Sequence, residues 1–335
     1  MIETIGISVL WVFLYGYIII GSIDFGAGFY SFYAKAANKK HTIRAVIDRY
    51  LSPVWEVTNV FLVFFMVGLI GFFPDSAFYY GTSLLVPGSV ALVLIAIRGS
   101  FYAFANYGAR ESNLYLFLYG ITGLFIPASL STVLTISEGG FIVTEEGKVR
   151  LLLGELFVNP YSWIVVLLAV VSVLFISATF LAYYASRAED KEAFEVMRNF
   201  SLVWSGPTIL MSFLVFLTLS THNPDHFQAM LAESWIFALS LLAFVAAVWF
   251  LYKRKHLGAA FCFVCLQFAF AFFGYGYTHL PYILYPYITI YENVTSPEMG
   301  ITLIIAFIAG LFLLVPSLYL LLRLFLFNAE YVRGS

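Results

Sequence analysis

The chain reads as long apolar runs separated by short polar connections. Nine runs are long enough to cross a hydrocarbon layer of about 30 Å, which takes roughly 20 helical residues. They lie near 6–33, 52–73, 82–107, 114–137, 160–186, 199–220, 234–252, 258–283 and 300–327. Backbone groups in lipid must be satisfied internally, by a helix or a closed barrel. These runs are too long and too continuously apolar for barrel strands, so they predict helices. The expected fold class is an all-α integral membrane protein with nine transmembrane helices. It would form a single transmembrane domain over 1–335, with no soluble domain. Short connections make sequential helices antiparallel neighbours. Helices one to four and five to eight read as two bundles with the ninth left over, and Trp55 and Trp204 enter the second helix of each half in comparable positions.

Composition agrees with the pattern. Of 335 residues, 62% are hydrophobic and only 11% charged, against about half and a quarter in soluble domains. The net charge of −2 offers no basic excess to track phosphates, which argues against a nucleic-acid partner. Charge placement sets an orientation, because Lys and Arg near span ends are retained in the cytoplasm. All of the 17 basic residues except Lys148 and Arg150 fall on one side: after helices one, three, five and seven, on their flanks, or in the tail. The N-terminus is therefore expected outside and the C-terminus in the cytoplasm.

Ionisable side chains within the runs are few: Asp24 in the first, Glu56 at the start of the second, Arg98 in the third. At 1.5 Å per residue, Asp24 lies roughly 13 Å from the cytoplasmic end of its helix. Arg98 sits at a similar depth, and Glu56 about one turn in. Such residues face a protein interior, pair, or line a polar path. Glu56 and Arg98 could pair simply to fix helix packing, or could snorkel. Asp24, in "GSIDFGAG" at 21–28, is too short to snorkel. Gly21, Ser22, Gly26, Ala27 and Gly28 around it permit close approach by another helix or by water. An acid held away from bulk water can accept and give up protons, so Asp24 is expected to serve as a protonatable relay.

Other chemistry is sparse. Cys262 and Cys265, one turn apart in an apolar run, read as packing residues. His41, His222, His226, His256 and His279 all stand in connections or near helix ends, whereas haem held across a bundle calls for axial ligands at depth. "HNPDH" at 222–226 has a metal-like spacing, but Pro224 reads as a loop signal, so no metal site is expected. No phosphate loop or nucleotide fingerprint is present.

"GSIDFGAG" at 21–28, "SPVWEVTNVFLV" at 52–63, "IRGSFYAF" at 97–104 and "FIPASLSTVL" at 125–134 resemble the successive signature stretches of subunit II of the cytochrome bd quinol oxidases. The resemblance implies a respiratory-chain subunit of the bacterial cytoplasmic membrane, built as two four-helix bundles plus one peripheral helix. It would pair as a heterodimer with a related subunit I. That partner would carry haems b558, b595 and d and meet quinol and oxygen, while this chain ligates none of the haems. The complex would reduce oxygen to water with cytoplasmic protons, generating a proton gradient without pumping. A bound quinone or lipid and a small accessory subunit are compatible with this picture.

The resemblance further implies a helix-one acid at Asp24 on a proton route, with Ser22 nearby and Glu56 at the cytoplasmic mouth. Glu56 stands where the family motif has Asp, and Thr58 and Asn59 where Asn and Gln are usual. Arg98 matches the family's Arg-Gly, as a charge partner at the subunit boundary. Two other readings stay open: a proton-coupled secondary transporter, and a purely structural assembly subunit.

Overall fold

The computed structural model of the chain describes residues 2–36, 58–107, 113–292 and 294–325. In chain order these hold α1 (Ile2–Ala36), α2 (Thr58–Phe72), α3 (Asp75–Ser83), α4 (Leu85–Tyr107) and α5 (Asn113–Ser137). A hairpin, β1 (Ile142–Glu145) and β2 (Lys148–Leu151), leads to α6 (Leu153–Val158), α7 (Pro160–Arg187), α8 (Lys191–His222) and α9 (Pro224–Ala232). Then come α10 (Ser234–Lys253), α11 (Leu257–His279), a second hairpin, β3 (Tyr282–Leu284) and β4 (Ile288–Thr289), and α12 (Pro297–Phe325).

Among the described residues seven helices are long and apolar enough to cross a membrane on their own: α1, α5, α7, α8, α10, α11 and α12. The run expected at 82–107 is not one straight helix. α3 and α4 meet at a bend of 79°, and they count as an eighth crossing if the bent pair is one span. Pro87 supplies the cause: lacking an N–H, it cannot bond the carbonyl of Ser83, so the helical ladder is released where α3 ends. The run expected at 52–73 is represented by α2, and its first residues, Glu56 included, lie outside the described ones.

Helix ends follow local chemistry. Asn159 and Asp190 cap α7 and α8, their side chains accepting from the backbone N–H of Tyr161 and Ala193 at 2.9 and 3.0 Å. Such caps satisfy donors that the helix cannot. Pro160 follows its cap at the first helical position, where a missing N–H costs nothing. At the far end of α10 the carbonyls of Leu251 and Tyr252 accept from Arg198 of α8 at 2.6 and 3.0 Å. α11 stops at His279, short of the expected 283, because Leu280 precedes a proline and takes extended backbone. In β1–β2, Glu145 pairs with Lys148, and Glu146 and Gly147 both take positive φ, as a two-residue hairpin turn requires.

α1 lies at the centre of the packing, against α5, α7, α11 and α12. α7 is the most enclosed, two-thirds of its apolar stretch being buried, while α12 has 6% buried and most of its residues exposed. Close approach is built from small residues. A Cβ placed on Gly123 of α5 would come 2.2 Å from the Phe25 carbonyl oxygen of α1. Gly6 meets Phe72 and Gly276 meets Trp11. The ends of α2, α5 and α11 therefore gather around the N-terminal part of α1, and α8 and α9 join them through Asn223 and His226, which reach Glu138.

Candidate functional site

The small residues of "GSIDFGAG" split α1 into two faces. On a helix, residues four apart share a side and residues two apart do not. Gly26 faces α7, where an added Cβ would lie 2.3 Å from the Ser177 side chain; Ser22, one turn before it, shares that side and is buried. Asp24 and Gly28 share the other side. At Gly28 a Cβ would meet the Tyr119 carbonyl at 2.6 Å and the Arg98 guanidinium at 3.0 Å. The missing side chain there lets Arg98 of α4 lie along α1.

Arg98 and Asp24 are each 1% exposed, and Arg98 Nε donates to Asp24 Oδ2 at 2.9 Å. Nη2 donates to the Asp24 carbonyl at 2.7 Å and Nη1 to the Tyr119 carbonyl at 2.8 Å, with Thr122 Oγ1 3.4 Å away. The Tyr119 hydroxyl donates to Asp24 Oδ1 at 3.2 Å. Its ring lies 4.0 Å beneath the guanidinium carbon, an added cation–π contact. A buried charge tolerates burial when it is paired and hydrogen-bonded in this way. Of the expected site residues, the structure joins Asp24 and Arg98, which the sequence had placed at matching depth. Ser22 lies near in sequence but on the α7 side, and Glu56 lies outside the described residues. Arg98 is buried, and among the described residues Asp24 is a carboxylate partner. Tyr119 and Thr122 were not anticipated; both stand one turn apart on an apolar helix with nothing in their spacing to mark them.

A second constellation sits at the opposite end of α1. Glu138, just past α5, is 2% exposed. His226 Nδ1 lies 2.9 and 3.1 Å from its two carboxylate oxygens, and His279 Nδ1 lies 3.4 Å from Oε1. Asn223 Nδ2 donates to Oε2 at 2.9 Å, and the Tyr275 hydroxyl donates to Oε1. Burial pushes the Glu138 carboxyl up; the His226 hydrogen bond, the His279 and His226 rings and the Tyr275 hydroxyl together outweigh it and hold the group below the usual carboxylate range.

"HNPDH" is not a loop, contrary to the sequence reading. Asn223 caps α9, accepting from His226 N at 3.2 Å, with Pro224 at the first helical position. Nor do its two histidines converge: His222 turns to the Gly139 carbonyl and to Asn159, at 3.1 and 3.2 Å. The sequence clue to the cluster is only that Glu138, His226 and His279 all fall at or near connections on the same expected side of the membrane: Glu138 after α5, His226 in the first turn of α9 and His279 at the end of α11.

Three comparisons bear on this architecture. The family model described as cytochrome bd terminal oxidase subunit II matches residues 2–325. A relative from Bacillus subtilis (strain 168), named as a cytochrome bd menaquinol oxidase subunit II, is 33% identical over 338 residues, covering 98% of this chain and 97% of that protein. Among solved structures, a chain of the bd oxidase from Geobacillus thermodenitrificans superposes with a TM-score of 0.87 at 58% identity, covering 98% of this chain and 99% of that one.

Proposed function

Because the chain belongs to the cytochrome bd terminal oxidase subunit II family, a group of multi-pass bacterial membrane proteins, we propose that it serves in a quinol:oxygen oxidoreductase as the subunit that supports a haem-bearing subunit I and conducts cytoplasmic protons toward it. In this reading the partner holds haems b558, b595 and d, which supply the electron and oxygen chemistry. The histidines among the described residues are compatible with that division. His226 and His279 are engaged with Glu138 at one end of the molecule, His222 is bonded beside them, and His256 is exposed on the turn before α11. The N-terminus is placed outside and the C-terminus in the cytoplasm, as the basic residues direct. A nine-helix arrangement in two bundles with α12 peripheral, lipid on the outer faces, and room for a quinone and an accessory subunit complete the proposal.

The observation that carries the proton role is the buried Asp24–Arg98 pair. Bare protons do not cross apolar packing, so acids, hydroxyls and water must bridge it. A proton taken up by Asp24 converts the pair into a neutral acid beside a cation. Arg98 keeps its bonds to the Tyr119 and Asp24 carbonyls in either state, so the guanidinium holds position while the carboxyl cycles. The Tyr119 hydroxyl, bonded to Oδ1, stands as the next proton-bearing group. Glu56 is assigned to the cytoplasmic mouth, and Ser22 to the α7 side of the route. In assembled complexes of normal haem content, Asp24→Asn and Glu56→Gln should each slow quinol oxidase turnover by on the order of 10²-fold, the scale of a lost proton-transfer group. Wild-type turnover in both removes the route.

A transporter reading draws on the bent α3–α4 pair, since transporters bind at broken helices. Arg98, however, lies 13 residues beyond the start of α4, roughly 20 Å along the axis, so the break does not hold the charges.

A further inference from the structure

We infer that Glu138, His226 and His279 bind a divalent first-row transition-metal ion, with Zn²⁺ as its probe. The three ligand atoms lie within 4.8 Å of one another, and they come from the end of α5, from α9 and from the end of α11.

The hydrogen inventory leads there. Thr278 Oγ1 has one proton, which it donates to a backbone carbonyl of its own helix, Gly274 at 3.0 Å or Tyr275 at 3.1 Å. In that rotamer its oxygen accepts from His226 Nε2, 2.9 Å away, and the opposite tautomer reverses the roles. With hydrogen on Nε2, the neutral ring turns the lone pair of Nδ1 toward the Glu138 oxygens at 2.9 and 3.1 Å. A lone pair facing a carboxylate at that range repels it unless a cation stands between them. His279 brings a second ring nitrogen to the same oxygen, 3.4 Å from Oε1, while its buried Nε2 has no hydrogen-bond partner.

Geometry and donor type then select the cation. Two imidazoles and one carboxylate suit zinc-like ions, whereas magnesium and calcium prefer oxygen donors. With bonds of about 2.0–2.1 Å, neighbouring ligands of a tetrahedral zinc stand roughly 3.3 Å apart. The two edges at Glu138 Oε1, 2.9 and 3.4 Å, bracket that value, and rotation of the rings closes the third. The surroundings also fit: Thr278 Oγ1 stands 2.9 Å from His226 Nε2 and Asn223 holds Glu138 Oε2, the kind of outer support that orients metal ligands.

A proton on His226 Nδ1 would satisfy the same contacts, so the test must separate the two occupants. The detergent-purified complex is stripped with chelator, exposed to Zn²⁺, desalted and analysed for metal. The expected result is one zinc per complex, distinguishable from haem iron. Glu138→Gln and His279→Gln should each lose it, and Asn223→Ala should bind about 10–100-fold more weakly, with haem absorbance as the check on assembly. X-ray absorption at the zinc edge of the loaded wild type should show scattering from two imidazoles and so decides the matter even where variants fail to assemble. A wild type that retains no zinc, or a zinc spectrum without imidazole, overturns the site. Zinc binding is read on this chain whether or not the proton route holds.

Discussion

Replacing Arg98 with methionine would remove the donor to Asp24 Oδ2 and the donors to two backbone carbonyls, leaving a carboxylate buried without its counter-charge. Breaking a buried pair from one side costs about 3–5 kcal/mol, while removing both charges can be nearly neutral. Arg98→Met should therefore lower the thermal midpoint and the yield of assembled complex. Adding Asp24→Asn to it should recover much of the loss, a non-additivity that a double-mutant cycle measures directly. Equal losses in the single and double variants would show that the pair contributes little to stability. At this scale the sequence was partly legible. The matching depth of Asp24 and Arg98 was readable, but the sequence reading offered Glu56, which lies outside the described residues, as the partner of Arg98, and the Asp24 pairing emerged only from the structure. Tyr119 and Thr122 escaped notice because a hydroxyl on an apolar helix usually bonds its own backbone, as Thr122 also does to Leu118.

The contact between α1 and α5 depends on backbones nearly touching. Gly123→Ala would set a Cβ 2.2 Å from the Phe25 carbonyl, and a backbone atom cannot rotate aside. A loss of about 1–3 kcal/mol is expected from such overpacking, read as a lower thermal midpoint of the complex. Gly81 in α3 has nothing within 4 Å of its added Cβ, so Gly81→Ala should leave stability unchanged or raise it by up to ~1 kcal/mol through helix propensity. Similar effects from both substitutions would argue against close packing at Gly123. Continuous hydropathy reveals where helices run because each must bury its own hydrogen bonds in lipid. It does not by itself locate a bend, although Gly81, Thr82, Ser83, Pro87 and Gly88 interrupt the apolar run around Leu84 and Pro87 is a legible break signal. The two hairpins went unread for another reason: short strands such as "IVTE" and "KVRL" carry too little pattern outside the apolar runs, although "EEGK" holds the glycine that their turn needs.

Over the whole molecule, the two polar constellations occupy opposite ends of the helical assembly, the ion pair toward the C-terminal half of α1 and the carboxylate–imidazole cluster near its start. Orientation decides which compartment each faces. A reporter fused to the C-terminus that is active only in the cytoplasm should be active, and one that requires export should be silent. The reverse pattern would put Asp24 on the wrong side for its proposed supply of protons. The cluster could not be foreseen as a unit. Glu138, His226 and His279 are far apart in sequence, and only the meeting of α5, α9 and α11 brings them together.

The pairing of Asp24 with Arg98 also bears on how the chain is made. A ribosome delivers α1 first, so the nascent polypeptide leaves its acid waiting in the bilayer before α4 emerges. When the guanidinium follows, a carboxylate to pair with is already seated in the layer it enters. Synthesis order thus lightens the insertion of the least lipid-compatible side chain in the molecule.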